Sequence, residues 1–245
     1  MHPPIAQTAL TILAPAALLF STLSVSARPV DSANVAVLVT LPLPPGVDRT
    51  QIQLDMGKTV AAYQRAPGLI HQYFVLSEDQ RFGSICLWKD RKAAVAWYSI
   101  NPEWRAVVPK NTDLRPDLTY FDVPIVTEGP VHIARALNRR LIAVIIKVTV
   151  PPGVDRGKIE AAMGSSVPTY RTAPGLIRKY FIITNDHRFG GIYLWESRQV
   201  AEAWHNESPV WRNGVSKLTG LCADLTIYDV PIVVEGQQAG PPKHP

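Results

Sequence analysis

The sequence predicts an α+β fold in which one chain carries two copies of a β-α-β-β-α-β unit. Three observations lead there: an ungapped internal repeat, the same strand and helix periodicity inside each copy, and strands that are apolar on both faces. A shift of 107 residues superposes Pro45-Gly46-Val47-Asp48-Arg49 on Pro152-Gly153-Val154-Asp155-Arg156, and Ala66-Pro67-Gly68-Leu69-Ile70 on Ala173-Pro174-Gly175-Leu176-Ile177. The same shift aligns Tyr73-Phe74 with Tyr180-Phe181, Arg81-Phe82-Gly83 with Arg188-Phe189-Gly190, and Leu87-Trp88 with Leu194-Trp195. Asp122-Val123-Pro124-Ile125-Val126 falls on Asp229-Val230-Pro231-Ile232-Val233, and about half of all aligned positions are identical, which marks a duplicated unit.

Each copy reads in the same order. Val35 to Leu41 and Ala143 to Val150 are apolar, β-branched runs that end in Pro-Pro-Gly, as buried strands do. Asp48 then caps a helix carrying Ile52, Met56, Val60 and Tyr63 at helical spacing, and Asp155 caps its counterpart with Ile159, Met163, Val167 and Tyr170. Pro168 should end or kink the second of these helices, because proline removes an amide donor and crowds the preceding turn. Strands follow at Leu69 to Ser77 and Leu176 to Thr184, then polar hairpin loops with Asp79 and Asp186, then strands at Phe82 to Trp88 and Phe189 to Trp195. The loop aspartates read as turn formers. Short helices from Arg91 to Tyr98 and Arg198 to His205, turns with Trp104-Arg105 and Trp211-Arg212, and strands at Leu118 to Val126 and Leu225 to Val234 close the units.

This order is the ferredoxin-like arrangement, with helices on one face of a four-stranded sheet. The other face is apolar too: Leu69, Tyr73 and Val75 share one parity, Ile70, Phe74 and Leu76 the other. At about 25 cal/mol per Å² of apolar area, a wet sheet face would cost more than the net stability of a domain. The two sheets should therefore bury each other as an internal pseudo-dimer, with a homodimer of such chains left open.

The divisions that follow are a signal peptide over 1–27, a first domain over 34–129, a linker over 130–141, a second domain over 142–236 and a disordered tail over 237–245. Residues 1–27 contain no Lys, Arg, Asp or Glu, and an apolar stretch from Ala9 to Leu23 precedes the small-residue site Val25-Ser26-Ala27. A secreted or periplasmic chain starting near Arg28 is expected, a retained membrane anchor being the alternative. Cys86 and Cys222 occupy non-equivalent positions, and the sequence leaves their pairing open. The composition, 47% hydrophobic and 18% charged, excludes disordered and coiled-coil chains. The net charge of +5 sits mostly in the linker arginines Arg135, Arg139 and Arg140, so it does not point to a nucleic-acid partner. No dinucleotide, P-loop, nucleophile-elbow or metal-ligand motif occurs.

Pro174-Gly175-Leu176, Gly190-Gly191-Ile192-Tyr193-Leu194-Trp195-Glu196-Ser197-Arg198, Ala203-Trp204, Trp211-Arg212 and Tyr228-Asp229-Val230-Pro231 resemble the YdhR-like monooxygenase family of the dimeric α+β barrel superfamily. The first copy carries a drifted version, with Ala96-Trp97-Tyr98 and Pro102-Glu103-Trp104-Arg105. The resemblance implies a pocket between sheet and helices in each unit, where a small aromatic or hydrophobic molecule meets oxygen with no metal, flavin or other cofactor. On that implication Tyr63, Trp88, Trp97 and Tyr98 are substrate-binding candidates in one pocket, and Tyr170, Trp195 and Trp204 in the other. The same aromatics also read as ordinary core. Deprotonating a phenol or enol needs a base with a near-neutral pKa, and His205 beside Trp204 is the catalytic candidate. Three functions stay open: a cofactor-independent monooxygenase, a non-catalytic small-molecule-binding module, and a haem-handling protein with His205 as axial ligand.

Overall fold

The structure is a computed structural model that describes residues 34–100, 104, 116–207 and 223–236. The expected signal peptide, Cys222, the Trp211-Arg212 pair and the tail lie outside the described residues. The first half runs β1 (Asn34–Pro42), α1 (Arg49–Gln64), β2 (Leu69–Ser77), β3 (Arg81–Trp88), α2 (Arg91–Ile100) and β4 (Asp117–Glu128). A short α3 (Ile133–Ala136) leads into the second half, β5 (Leu141–Thr149), α4 (Arg156–Arg171), β6 (Leu176–Ile183), β7 (Arg188–Trp195), α5 (Arg198–Glu207) and β8 (Asp224–Glu235).

Local chemistry accounts for these elements. The Asp48 carboxylate accepts from the Gln51 amide at 2.7 Å, and the Asp155 carboxylate from the Lys158 amide at 2.9 Å, so both long helices start where a cap satisfies an orphan donor. Of the two outcomes expected at Pro168, the helix does not end there: α4 continues to Arg171. Pro168 and Gly164, whose carbonyl loses its donor, are both exposed. Water can therefore take the bond that the proline removes.

All eight strands close one antiparallel barrel in the order β1-β3-β2-β8-β5-β7-β6-β4. Each half supplies four adjacent strands, and the seams are β2 with β8 and β4 with β6. The sheet faces that lack helices thus meet inside the barrel, where Val75, Ile85 and Phe121 pack with Ile145, Ile182 and Ile192. The helices lie outside: α1 and α2 cover the first half's sheet, α4 and α5 the second's. The connector is more than a solvated linker, since Ala136 of α3 is fully buried against the barrel interior. Pro124 falls where the β4–β6 register shifts between Asp122 and Ile125, a place that does not need its missing donor.

Ion pairs repeat across the halves. Asp122 on β4 takes Arg91 at 3.2 Å and Arg156 of the other half at 2.8 Å. Asp229 on β8 takes Arg49 of the first half at 2.6 Å and Arg198 at 3.7 Å. A further polar cluster sits where the halves meet. Tyr73 and Tyr180 share a hydroxyl hydrogen bond of 2.6 Å, and Arg178 reaches the Tyr73 oxygen at 3.1 Å, Glu128 at 2.6 Å and Glu235 at 3.4 Å. His71, at the position equivalent to Arg178, pairs with Glu235 at 3.1 Å.

The Arg-Phe-Gly signature has a packing cause. A Cβ on Gly83 would lie 1.9 Å from the Val39 carbonyl oxygen, and one on Gly190 1.9 Å from that of Ile146. Gly83→Ala and Gly190→Ala should each push two paired strands apart and cost about 3 kcal/mol, at the upper end for overpacking because the obstacle is backbone. Urea denaturation at neutral pH measures this; an unchanged midpoint would contradict it.

Candidate functional site

A cavity of about 320 Å³ lies in the first half between the sheet and α1. Val39 and Leu41 of β1, Phe74 of β2 and Phe82, Gly83 and Ser84 of β3 form its floor. Ile52, Met56 and Tyr63 of α1 form its roof, with Trp104 also in the wall and Gln51, Asp55 and Thr59 along the helix. The roof residues recur at i, i+4 and i+11, which places them on one helix face above the sheet. The lining is mostly apolar and aromatic with a few polar groups, the usual makeup of a small-molecule site.

The polar groups gather around Tyr63. Burial pushes its hydroxyl well above the ordinary tyrosine value, while Trp97, Ser84 and Gln72 stand close enough to oppose that push. Gln72 is fully buried, and among the described residues neither its amide nitrogen nor its oxygen has a hydrogen-bond partner. Burial pushes the Cys86 thiol up to about 11, so it is a protonated donor, and it gives its proton to Ser84 Oγ at 3.4 Å. Asp55 is the lining residue that is ionised at neutral pH. Its bonds to Lys58 and Gln51 hold it below the usual carboxylate range.

The equivalent region of the second half is built differently. Position for position, Gln72 becomes Lys179, Ser84 becomes Gly191, Cys86 becomes Tyr193 and Tyr98 becomes His205. The Lys179 Nζ lies 3.3 Å from the ring centroid of Tyr170, 3.8 Å from that of Phe181 and 4.6 Å from that of Tyr193. Burial pushes its amine well below the ordinary lysine value, and the ring faces oppose that by about 2 kcal/mol for a desolvated cation.

The candidate residues gather in two clusters, but Tyr63 is the one that lines the cavity. In the first half Tyr63 meets Trp97 at 5.4 Å, Trp97 meets Trp88 at 5.8 Å and Trp88 meets Tyr98 at 5.7 Å, all as a buried layer behind the cavity. In the second half Tyr170 meets Trp204 at 6.2 Å, Trp204 meets Trp195 at 5.8 Å and Trp195 meets His205 at 5.7 Å. His205 is buried edge-on against Tyr193, at 5.2 Å. Sequence reasoning missed Gln72, Ser84 and Lys179. The signal was there: a polar or charged residue inside an apolar strand, differing between copies beside the shared Tyr-Phe pair.

Burial, aided by the Lys179 charge, pulls the His205 pKa down to about 4. The unfolded chain takes up this proton near 6.5, so the folded state loses stability as pH falls from 6.5 to 4 and loses no more below that. The loss approaches about 3 kcal/mol. His205→Tyr, which installs the first-half residue, should flatten that limb; unfolding midpoints at pH 7 and pH 4.5 test it, and an equally steep acid loss in the variant would refute it.

Among the described residues no group of three or more His, Cys, Asp or Glu side chains could hold a metal ion, and no helix is long and apolar enough to cross a membrane. No family model matches the chain, and no curated protein matches it in sequence. Solved structures do match. A candidate monooxygenase of Fusobacterium nucleatum superposes with a TM-score of 0.66 at 12% identity, over 83% of this chain and 95% of its own. A candidate monooxygenase of Lactobacillus acidophilus gives 0.64 at 12% identity, over 83% and 96%. An anthrone oxidase-like protein gives 0.56 at 15% identity, over 84% and 94%. The chain thus has the fold of the dimeric α+β barrels, shared with monooxygenase-like proteins, and supplies both halves of the barrel itself.

Proposed function

We propose that this chain is a tandem, YdhR-like, cofactor-independent monooxygenase that takes a small aromatic or hydrophobic molecule into the first-half cavity. The observation that carries the reading is the apolar cavity of about 320 Å³ with Tyr63 and Ser84 in its wall. An activated methylene conjugated to a carbonyl, directly or through an aromatic ring as in anthrone, is the fitting substrate class. Loss of its proton gives an enolate, which passes electrons to O₂; the resulting hydroperoxide expels water and leaves a new carbonyl, so R₂CH₂ and O₂ give R₂C=O and H₂O. The Tyr63 phenol, kept protonated by burial, donates to the enolate oxygen. Asp55 is the lining carboxylate able to accept the proton, though a weak base. The likeness to an anthrone oxidase-like protein supports this choice of substrate class.

Oxygen uptake with anthrone tests it. Tyr63→Phe should lower the rate on the order of a hundredfold, as loss of one oxyanion donor does, with His205→Ala near the parent rate. Loss of uptake in folded His205→Ala with Tyr63→Phe unaffected would move the reaction to the second half. A second reading, a non-catalytic binding module, is favoured by the weakness of Asp55 as a base; ligand uptake with no oxygen consumption would establish it.

A further inference from the structure

We propose that Lys179 is the built-in occupant of the second half's pocket, so that the chain carries one open small-molecule site instead of two. This rests on the first-half cavity being a ligand site. Tyr63 and Phe74 line that cavity, and their counterparts Tyr170 and Phe181 are the rings that the Lys179 Nζ approaches to 3.3 Å and 3.8 Å. The lysine head therefore occupies the part of that space that lies against these two rings. A second substitution makes room for it: a Cβ on Gly191 would meet Tyr193 Cε2 at 2.8 Å and Lys179 Cε at 2.9 Å, whereas the first half carries Ser84 there, in the cavity wall, with the smaller Cys86 in place of the tyrosine. Lysine with glycine and Tyr193 closes the pocket, and glutamine with serine and Cys86 leaves it open. Three ring faces around one amine form an aromatic cage, whose free form would take a small alkylamine or its ammonium as well as an aromatic.

Calorimetric titration with 2-naphthol on the full chain counts the sites. The wild type should bind one equivalent and Lys179→Ala two. Adding n-propylammonium, which replaces the deleted atoms, should return the variant to one. Lys179→Met, which refills the cage with a neutral chain, should bind one. If Lys179→Ala does not fold, the triple variant Lys179→Gln with Gly191→Ser and Tyr193→Cys carries the first half's own residues and should bind two. Two equivalents in the wild type, or one in a folded variant expected to bind two, would overturn the proposal. No uptake by the wild type would remove the first-half reading, while a site gained on Lys179→Ala would still uphold the plug.

Discussion

Trp88→Ala and Trp195→Ala should each cost about 3–5 kcal/mol of folding stability, the range for truncating a fully buried tryptophan. Both side chains are fully buried between sheet and helices, where Trp88 touches Trp97 and Tyr98 and Trp195 touches Tyr193, Trp204 and His205. Neither lines the cavity. Activity lost in these variants should follow the folded fraction. Thermal melting beside activity per folded molecule separates the two roles, and a variant that melts like the parent yet is inactive would place the tryptophan in the site.

Removing Arg178 should be the most damaging single change at the seam of the halves. Burial opposes its charge, and Tyr73, Tyr180, Glu128 and Glu235 more than restore it. Arg178→His should cost about 2–3 kcal/mol, less than a wholly buried pair would, because Glu128 and Glu235 are 60% and 39% exposed and can hydrate. The approximate twofold relation of the halves permits a sharper experiment. His71 and Arg178 are equivalent positions, so exchanging them as His71→Arg with Arg178→His keeps one arginine in the cluster beside the paired tyrosines. The double variant should recover most of the loss in urea denaturation. Strict additivity of the two single effects would mean that the cluster does not act as a unit.

Much of the fold was legible because duplication and strand parity are periodic signals. The repeat of Asp48 at Asp155 located both caps, and the two-faced apolar strands around Tyr73 required a cover, which the barrel interior supplies. The seam pairing was not legible, since strand edges carry no periodic mark; Asp122 and Asp229 read as mere motif residues until Arg156 and Arg49 arrived from the other half. Pro168 does not end α4 because Gly164, whose carbonyl it orphans, is exposed and can bond to water instead. In the site, shared aromatics such as Tyr63 and Tyr170 made the two pockets look alike. The distinction lies in Gln72 against Lys179 and Ser84 against Gly191, and their meaning depends on which sheet face each residue occupies.

The most direct test is a crystal of the chain soaked with 2-naphthol. Density for the ligand between Tyr63, Phe74 and Ser84, with Lys179 still seated over Tyr170 and Phe181, is the predicted result. Ligand bound beside His205 with Lys179 displaced, or a first-half cavity that stays empty at saturating 2-naphthol, would contradict it.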